Sequence, residues 1–468
     1  MNVEKKTQKV VLGEGGIYDA KQLGTPKMML LGLQHMFAMF GATILVPMLT
    51  GLDVSTTLLF AGLGTLLFHL LTKGKVPAFL GSSFAFLGGY FVICPMLADA
   101  QGNQTISNDA MIPYACVGVA CAGLVYLVLA GLIKVFGTAR VMRFFPPIVT
   151  GPIIIAIGLT LSKSAIDNCA NNWPIALVAI ILVIVCNIWG KGMIKIVPII
   201  IGVVGSYVLA ACFGKVDFAP VAAASWIGNP IKWDLTVFHL FGQGVDSGML
   251  ITAIITIVPI SLATVVEHIG DISAISSTVG INYIKDPGLH RTLLGDGLAT
   301  IMASLFGAPA NTTYGENTGV LTLTKVYDPA VIRIAACFAV LFSFSPKFAA
   351  IISCMPTATC GGVSLVLYGM ISAVGVRNIV ETQTDFTKSR NVIVAALILV
   401  LSIGVNFSTN GAISFQVFGV TINLSGLAVG ALTGIFLNAI LPGKDYKFDD
   451  DEPDESDVDL ETVALPKE

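Results

Sequence analysis

Long apolar runs separated by short polar segments make up most of this chain. Fourteen runs reach membrane length or come close to it, at 28-49, 54-72, 84-98, 111-136, 146-162, 173-189, 194-213, 249-268, 291-306, 314-325, 329-344, 355-375, 391-406 and 418-441. A helix needs about 20 apolar residues to cross the hydrocarbon core of a bilayer. The pattern therefore predicts an all-α polytopic membrane protein with 14 transmembrane segments.

The third and tenth runs are too short to cross a bilayer as plain helices. The third begins at the end of Pro-Ala-Phe-Leu-Gly-Ser-Ser-Phe (77-84), and the tenth follows Pro309, Thr312 and Thr313. Proline and β-branched residues favour an extended backbone, so we expect a short strand in each segment and a short helix starting near Glu316. In lipid such backbone is tolerated only where it is buried in protein or lines a cavity. The free N–H groups of the helix start would then face a binding site.

Proline and glycine positions recur in the two halves of the chain. Pro77 stands seven residues before Phe84, and Pro309 stands seven before Glu316. A second set recurs with equal spacing: Pro146, Gly151 and Gly158 against Pro356, Gly361 and Tyr368. Seven predicted spans, an odd number, separate the corresponding pieces, so the halves must be inverted. The fold predicted is 7+7 inverted repeats, which place a binding site at the bilayer midplane between discontinuous helices.

Composition and charge support a membrane protein and narrow its partners. The chain is 55% hydrophobic and 12% charged, with a mean hydropathy of +0.84. Acidic residues concentrate at 449-455, which predicts a solvated tail over 442-468 and no nucleic-acid partner. The nine cysteines lie in or beside apolar runs without a Cys-x-x-Cys pair, which favours small buried hydrophobes and no metal site.

Positive charge indicates the orientation in the membrane. Only four basic residues fall on one side of the predicted spans, namely Lys163, Lys215, Lys232 and Lys347. By the positive-inside rule, fourteen crossings with both termini cytoplasmic are expected, in the cell's inner (cytoplasmic) membrane. The first 26 residues lack a cleavable apolar region and are expected to form a cytoplasmic tail.

Ionisable residues inside the spans are functional candidates, because hydrocarbon penalises them. They are Glu267, His268, Asp271, Glu316 and His35, and less centrally His69 and Asp296. Glu267 and Asp271 would share a helix face one turn apart, where one of them could hold a proton during transport; alternatively, Asp271 lies in a cytoplasmic loop. Glu316 could instead cap a half helix, His35 and His69 could be packing histidines, and Asp296 is expected to serve packing or capping.

Two carboxylates beside exposed backbone N–H groups predict the kind of ligand. Carboxylates accept from N–H donors, and backbone amides donate to carbonyl oxygens, so the complement is a flat molecule that alternates N–H and C=O. A pyrimidine or purine base fits, with aromatic rings of Phe84, Tyr314 and Tyr368 over its faces. A dicarboxylate or sulfate fits poorly, since no Arg or Lys is expected at membrane depth.

Several motifs together resemble the nucleobase–ascorbate transporter family, in particular its bacterial uracil permease branch. They are Gln34-His35, Gly41-Ala42-Thr43, Gly-Ser-Ser-Phe-Ala-Phe at 81-86, Glu267-His268-Ile269-Gly270, and Asn-Thr-Thr-Tyr-Gly-Glu-Asn at 311-317. The resemblance covers about residues 25 to 441 and implies uracil uptake coupled to protons, without covalent chemistry or a cofactor.

The resemblance also implies roles for single residues. Glu267 and Glu316 would hydrogen-bond the uracil ring, and the main-chain N–H groups of Phe84 and Gly315 would bind its carbonyls. The implied pocket lining is Ala42, Tyr314 and Tyr368. Some uracil carriers have His where this chain has Asp271, so the candidates for proton coupling are Asp271, Glu267 and His35.

A division into two domains follows from the same resemblance. A core domain would comprise 27-144 and 245-346 (spans 1-4 and 8-11), and a gate domain 145-244 and 347-441 (spans 5-7 and 12-14). A purine (xanthine or uric acid) symporter of the same family is the alternative function. An anion exchanger of the same fold would need a basic site, and a membrane enzyme would need a catalytic set that the sequence lacks. A homodimer is possible, since Gly- and Ala-rich spans permit close helix packing.

Overall fold

Helices dominate the computed structural model, which describes residues 16–98, 104–191, 193–409, 411–417 and 420–444. In these ranges the α-helices are α1 (Thr25–Thr50), α2 (Val54–Leu71), α3 (Leu87–Ile93), α4 (Ile112–Phe136), α5 (Thr138–Met142), α6 (Pro147–Ala170), α7 (Trp173–Trp189), α8 (Met193–Ile196), α9 (Pro198–Cys212), α10 (Ala219–Ala223), α11 (Val237–Gln243), α12 (Ser247–Ile257), α13 (Ser261–Val279), α14 (Leu289–Leu305), α15 (Gly315–Thr324), α16 (Pro329–Ser343), α17 (Pro346–Ser353), α18 (Thr357–Glu381), α19 (Ser389–Asn406) and α20 (Gly426–Ile440). The strands form three antiparallel pairs: β1 (Leu80–Ser82) with β4 (Asn311–Thr313), β2 (Leu97–Ala98) with β3 (Gln104–Ile106), and β5 (Ala412–Val417) with β6 (Val420–Ser425).

Many of these helices are suited to a bilayer. Within the described ranges, seven are long and apolar enough to cross a membrane, and an eighth span results if α16 and α17, bent by 88°, count as one. The protein is therefore a multi-pass membrane protein. The eighth predicted span ends at 268, whereas the structure continues it as one element, Ser247–Val279. Hydropathy ends it early because polar residues from Glu267 onwards interrupt the apolar run, while the helix itself continues to a left-handed cap at Gly280.

Both broken segments contain the short strand and the following helix that the sequence predicts. Strand β1 precedes α3, and β4 precedes α15, whose first residue is Gly315, one position before the expected start. The two strands pair with each other in the register Leu80 to Thr313 and Ser82 to Asn311. Two segments that lie far apart in the sequence therefore meet inside the helical bundle.

Helix α2 braces the outer edges of this strand pair. Thr65 Oγ1 accepts the main-chain N–H of Leu80 at 2.9 Å, and His69 Nε2 lies 2.9 Å from the carbonyl oxygen of Ala78. On the other strand, Asn311 Nδ2 donates to the carbonyl oxygen of Phe60 at 2.9 Å. His69 thus has a backbone partner, in agreement with its interpretation as a packing histidine.

The N-terminal segment docks onto the rest of the protein. Ile17 N–H donates to the carbonyl of Lys325 at 2.8 Å, and Tyr327 N–H donates back to Ile17. The Tyr18 hydroxyl donates to the carbonyl of Val279 at 2.8 Å. Part of the tail predicted over 1–26 is therefore packed against the ends of α13 and α15, while residues 1–15 and most of the acidic tail lie outside the described residues.

Thr65→Val tests the brace from α2. The substitution keeps the shape of this buried side chain but removes the acceptor of the Leu80 N–H, so stability should fall by about 1–3 kcal/mol. Thr322→Val, which removes an exposed hydroxyl bonded within α15, is the matched control. The measurement is the thermal unfolding midpoint in detergent, and equal midpoints for the two variants would contradict this role.

Candidate functional site

Tyr314 joins the two broken segments at the end of β4. Its hydroxyl donates to the carbonyl oxygen of Ser82 at 2.8 Å and accepts from Thr43 Oγ1 at 3.3 Å. Ser82 Oγ in turn donates to the carbonyl of Thr43 at 3.1 Å. The ring lies against Gly81, where an added Cβ would come within 2.5 Å of ring carbons. Tyr314 thus ties α1 to both strands, in addition to its predicted place in the pocket.

An aromatic pair marks the contact between β1–α3 and α18. The rings of Phe84 and Tyr368 lie with centroids 5.6 Å apart and planes at 78°, an edge-to-face arrangement. Both side chains are buried, and they belong to one apolar cluster with Ala42 and Tyr314. The structure therefore brings together all four side chains expected to line the pocket or cover the ligand.

The two carboxylates on α13 lie one turn apart on a continuous helix, so Asp271 is not in a loop. Both residues are half-buried. Thr313 Oγ1 on β4 donates to Asp271 Oδ2 at 3.0 Å. The other oxygen, Oδ1, lies 3.7 Å from the position that a Cβ on Gly315 would take. The Asp271 carboxylate therefore faces the break between β4 and α15.

The start of α15 supplies backbone donors. The first N–H groups of a helix have no acceptor within it, and they carry the positive end of its dipole. Gly315 is the first helical residue, and Glu316 follows it on the backbone, although the Glu316 side chain lies outside the described part of the structure. Asn317 Nδ2 lies 3.3 Å from His35 Nδ1 and donates to the His35 carbonyl at 3.3 Å. This contact fixes the fully buried His35 beside α15.

A second ionisable pair lies between α13 and α14. His268 Nδ1 and Asp296 Oδ2 are 3.0 Å apart, both side chains have no exposed area, and the ring is not aligned for a linear hydrogen bond. Nearby on α13, Thr264 Oγ1 accepts from the buried Tyr126 hydroxyl at 2.6 Å. Sequence reasoning named both residues of the pair but missed their contact. The available signals in the sequence were His268, which directly follows Glu267, and Asp296, an acid within an apolar span.

A cavity of about 550 Å³ with Lys163 in its wall meets the predicted site at Phe84. Its walls include Phe84, Phe91 and Gly88 from the third segment and Leu161 from α6. The volume lies in the range of small-molecule pockets. Within the described residues, no group of three or more His, Cys, Asp or Glu side chains could hold a metal ion. Among the predicted site residues that the structure describes, Phe84 is the one in the walls of this cavity.

Comparison with known proteins identifies the relatives of this chain. Residues 26–411 match the model of a family described simply as the permease family. The chain belongs to this family. It is 42% identical over 430 residues to the uracil permease of Bacillus caldolyticus, and the match covers 88% of this chain and 92% of the relative. The uracil permease of Escherichia coli strain K12 is 35% identical over 423 residues, which cover 88% of this chain and 90% of that protein.

These findings confirm the resemblance drawn from the motifs, including the uracil permease branch. As a permease, the chain is a transporter and not an enzyme.

The fold is similar to that of solved membrane transporters. The transmembrane domain of a cyanobacterial bicarbonate transporter, BicA, matches with a TM-score of 0.55 at 14% identity, covering 91% of this chain and 99% of that domain. SLC26A9 matches with a TM-score of 0.59 at 13% identity, covering 90% of this chain and 66% of that protein.

Tyr314→Phe tests the link between the broken segments. Loss of the hydroxyl removes the bond to Ser82, so backbone amides of residues 80–83 should exchange with deuterium about fivefold faster, equivalent to about 1 kcal/mol. Tyr207→Phe is the control, because its hydroxyl donates to the carbonyl of Ile351 at an exposed position. Unchanged exchange over 80–83 in Tyr314→Phe, measured by mass spectrometry, would exclude the link.

Proposed function

We propose that this permease imports uracil across the cytoplasmic membrane together with protons. The single observation that carries the proposal is the position of Asp271, which bonds to Thr313 and faces the start of α15. This position of Asp271 brings the acidic face of α13 to the break between β4 and α15, which also offers backbone N–H donors. Relatives with 35–42% identity over most of the chain are named uracil permeases, which supports uracil as the substrate.

Uracil presents two ring N–H donors and two carbonyl acceptors in one plane. In our proposal Glu267 and Glu316 accept the N–H groups, while the main-chain N–H groups of Phe84 and Gly315 donate to the carbonyls. A helix start suits a carbonyl oxygen because its N–H groups lack partners within the helix. Ala42, Tyr314 and Tyr368 line the ring, and the buried pair of Phe84 and Tyr368 supports this role.

The proton has three candidate sites, Asp271, Glu267 and His35. Two carboxylates one turn apart disfavour double ionisation, so a shared proton can be taken up on one side of the membrane and released on the other. The hydrogen bond from Thr313 makes Asp271 sensitive to any movement of β4, which supports coupling between proton and substrate. His35 would act from α1 through its contact with Asn317.

We further propose that the chain crosses the membrane fourteen times as an inverted repeat with both termini cytoplasmic. Helix pairing supports the repeat. Helix α4 packs on α14, and α2 packs on α16. Exchanging the two halves of the chain turns the first of these pairs into the second. The alignment of the two halves places Gly151 of α6 on Gly361 of α18, and Cys169 on Ile379. The contact of Gly151 with Ile379 is therefore equivalent to the contact of Gly361 with Cys169. A Cβ on Gly151 would lie 2.3 Å from Ile379, and a Cβ on Gly361 would lie 2.6 Å from Cys169.

Transport would proceed by movement of a core domain (27–144 and 245–346) against a gate domain (145–244 and 347–441). The short helices α5 and α17 lie at the two corresponding boundaries and would serve as linkers. In this proposal the pocket lies between the core segments and the gate helix α18, which meet at Phe84 and Tyr368, so relative movement would expose it to each side in turn.

Uptake of labelled uracil into proteoliposomes tests the function. We expect accumulation that requires an inward proton gradient and that excess unlabelled xanthine does not reduce. Accumulation erased by xanthine would instead indicate a purine carrier of the same family. Folded protein without any uptake would refute uracil as the substrate.

Glu267→Gln should abolish this uptake, because the amide cannot accept the ring N–H with a full charge or carry a proton. Glu381→Gln is the control, since Glu381 is exposed and pairs with Arg377 one turn away on α18. Gradient-driven uptake retained in Glu267→Gln at normal protein levels would remove Glu267 from the site.

Asp271→Asn separates coupling from binding. The variant keeps a side chain that can accept from Thr313, so exchange of uracil between equal internal and external pools should continue. Accumulation driven by the proton gradient should be lost, since an amide cannot be protonated near neutral pH. If accumulation persists, the coupled proton resides elsewhere, on Glu267 or His35.

A further inference from the structure

Helices α6 and α18 cross so closely at Gly158 that no side chain fits there. A Cβ built on Gly158 would lie 2.1 Å from the carbonyl oxygen of Tyr368 and 2.3 Å from Ser372 Oγ. Ordinary contacts of a Cβ begin near 3.4 Å. Any larger residue at this position therefore has to push the backbone of α18 away by roughly an ångström.

Two hydrogen bonds on the N-terminal side of Gly158 also hold α6 and α18 together. Ser372 Oγ donates to the carbonyl of Ile155 at 3.0 Å, and Asn378 Nδ2 donates to Thr150 Oγ1 at 2.9 Å. Between these bonds, Gly375 packs directly against the backbone of α6. The helix pair is thus held at one separation, and the Tyr368 carbonyl cannot retreat without breaking these contacts.

Tyr368 connects this crossing to the pocket. Its carbonyl rests on Gly158, while its ring meets Phe84 of the third segment at 5.6 Å. We infer that Gly158 is a positioning residue: its missing side chain sets the place of Tyr368 and hence the width of the pocket between gate and core. The expected effect of Gly158 on uracil transport rests on the proposed function, whereas its expected effect on the position of Tyr368 does not.

The recurring pattern of the sequence gives the same conclusion independently. Gly158 and Tyr368 occupy equivalent positions in the two halves, each following the recurring proline and glycine at the same spacing. In the structure these equivalent positions touch each other. The close approach at Gly158 therefore lies at the central contact between the two equivalent helices.

Gly158→Ala tests the inference, with Gly151→Ala as the matched control. A Cβ on Gly151, about two turns before Gly158 on α6, meets mainly the flexible side chain of Ile379. We expect Gly158→Ala to raise the KM for uracil by about tenfold or more with a maximal rate within about twofold of the unchanged protein. Gly151→Ala should leave KM unchanged. Equal KM values for both variants would overturn the inference.

A structure of Gly158→Ala supplies a readout that does not depend on the substrate. The ring of Tyr368 should move relative to Phe84 by roughly an ångström, and an unchanged separation of 5.6 Å overturns the inference whatever is transported. If the unchanged protein carries no uracil, the proposed function fails, and this structure alone decides the role of Gly158.

Should Gly158→Ala not fold, Ser372→Ala releases the bond to Ile155 without added volume. Its KM should rise about threefold, and an unchanged KM again overturns the inference.

Discussion

Every backbone polar group inside a bilayer must find its partner within the protein, and at the two broken segments one pair of three-residue strands meets this requirement. Strands this short would not persist alone in water. They persist here because side chains of neighbouring helices complete their hydrogen bonding: Thr65 of α2 accepts the Leu80 N–H, and Thr300 of α14 donates to the carbonyl of Asn311. The same constraint fixes where α15 begins, since Gly315 follows the last paired residue of β4 after a single residue.

The position of the site follows from this arrangement. A helix that starts in the middle of the protein exposes N–H groups where a continuous helix would have none. Those groups alone would attract an anion. Asp271 lies beside them and accepts a bond from the strand that leads into the helix, so the site offers donors and acceptors together. A neutral molecule with alternating N–H and C=O groups is the better complement.

The sequence reveals those features that depend on neighbours along the chain. Pro309 and the threonine pair predict the break before Glu316, and the four-residue spacing of Glu267 and Asp271 predicts their common helix face. The bracing by Thr65 and His69, the contact of His268 with Asp296 and the crossing at Gly158 join residues far apart in the chain. A single sequence does not encode such contacts in any local pattern. Likewise, the helix of the eighth span continues to Val279, although its polar residues end the apolar run at 268.

The solved transporters of similar fold include proteins named for bicarbonate and anion transport, with 13–14% identity to this chain. A fold alone does not determine what is carried, because function depends on the groups placed in the site. Here a carboxylate of α13 lies beside the start of α15, where it would repel an anion and favour a ligand that brings its own N–H groups. In the proposed function, the selectivity of this permease therefore rests on α13, while the broken segments supply the scaffold and the backbone donors.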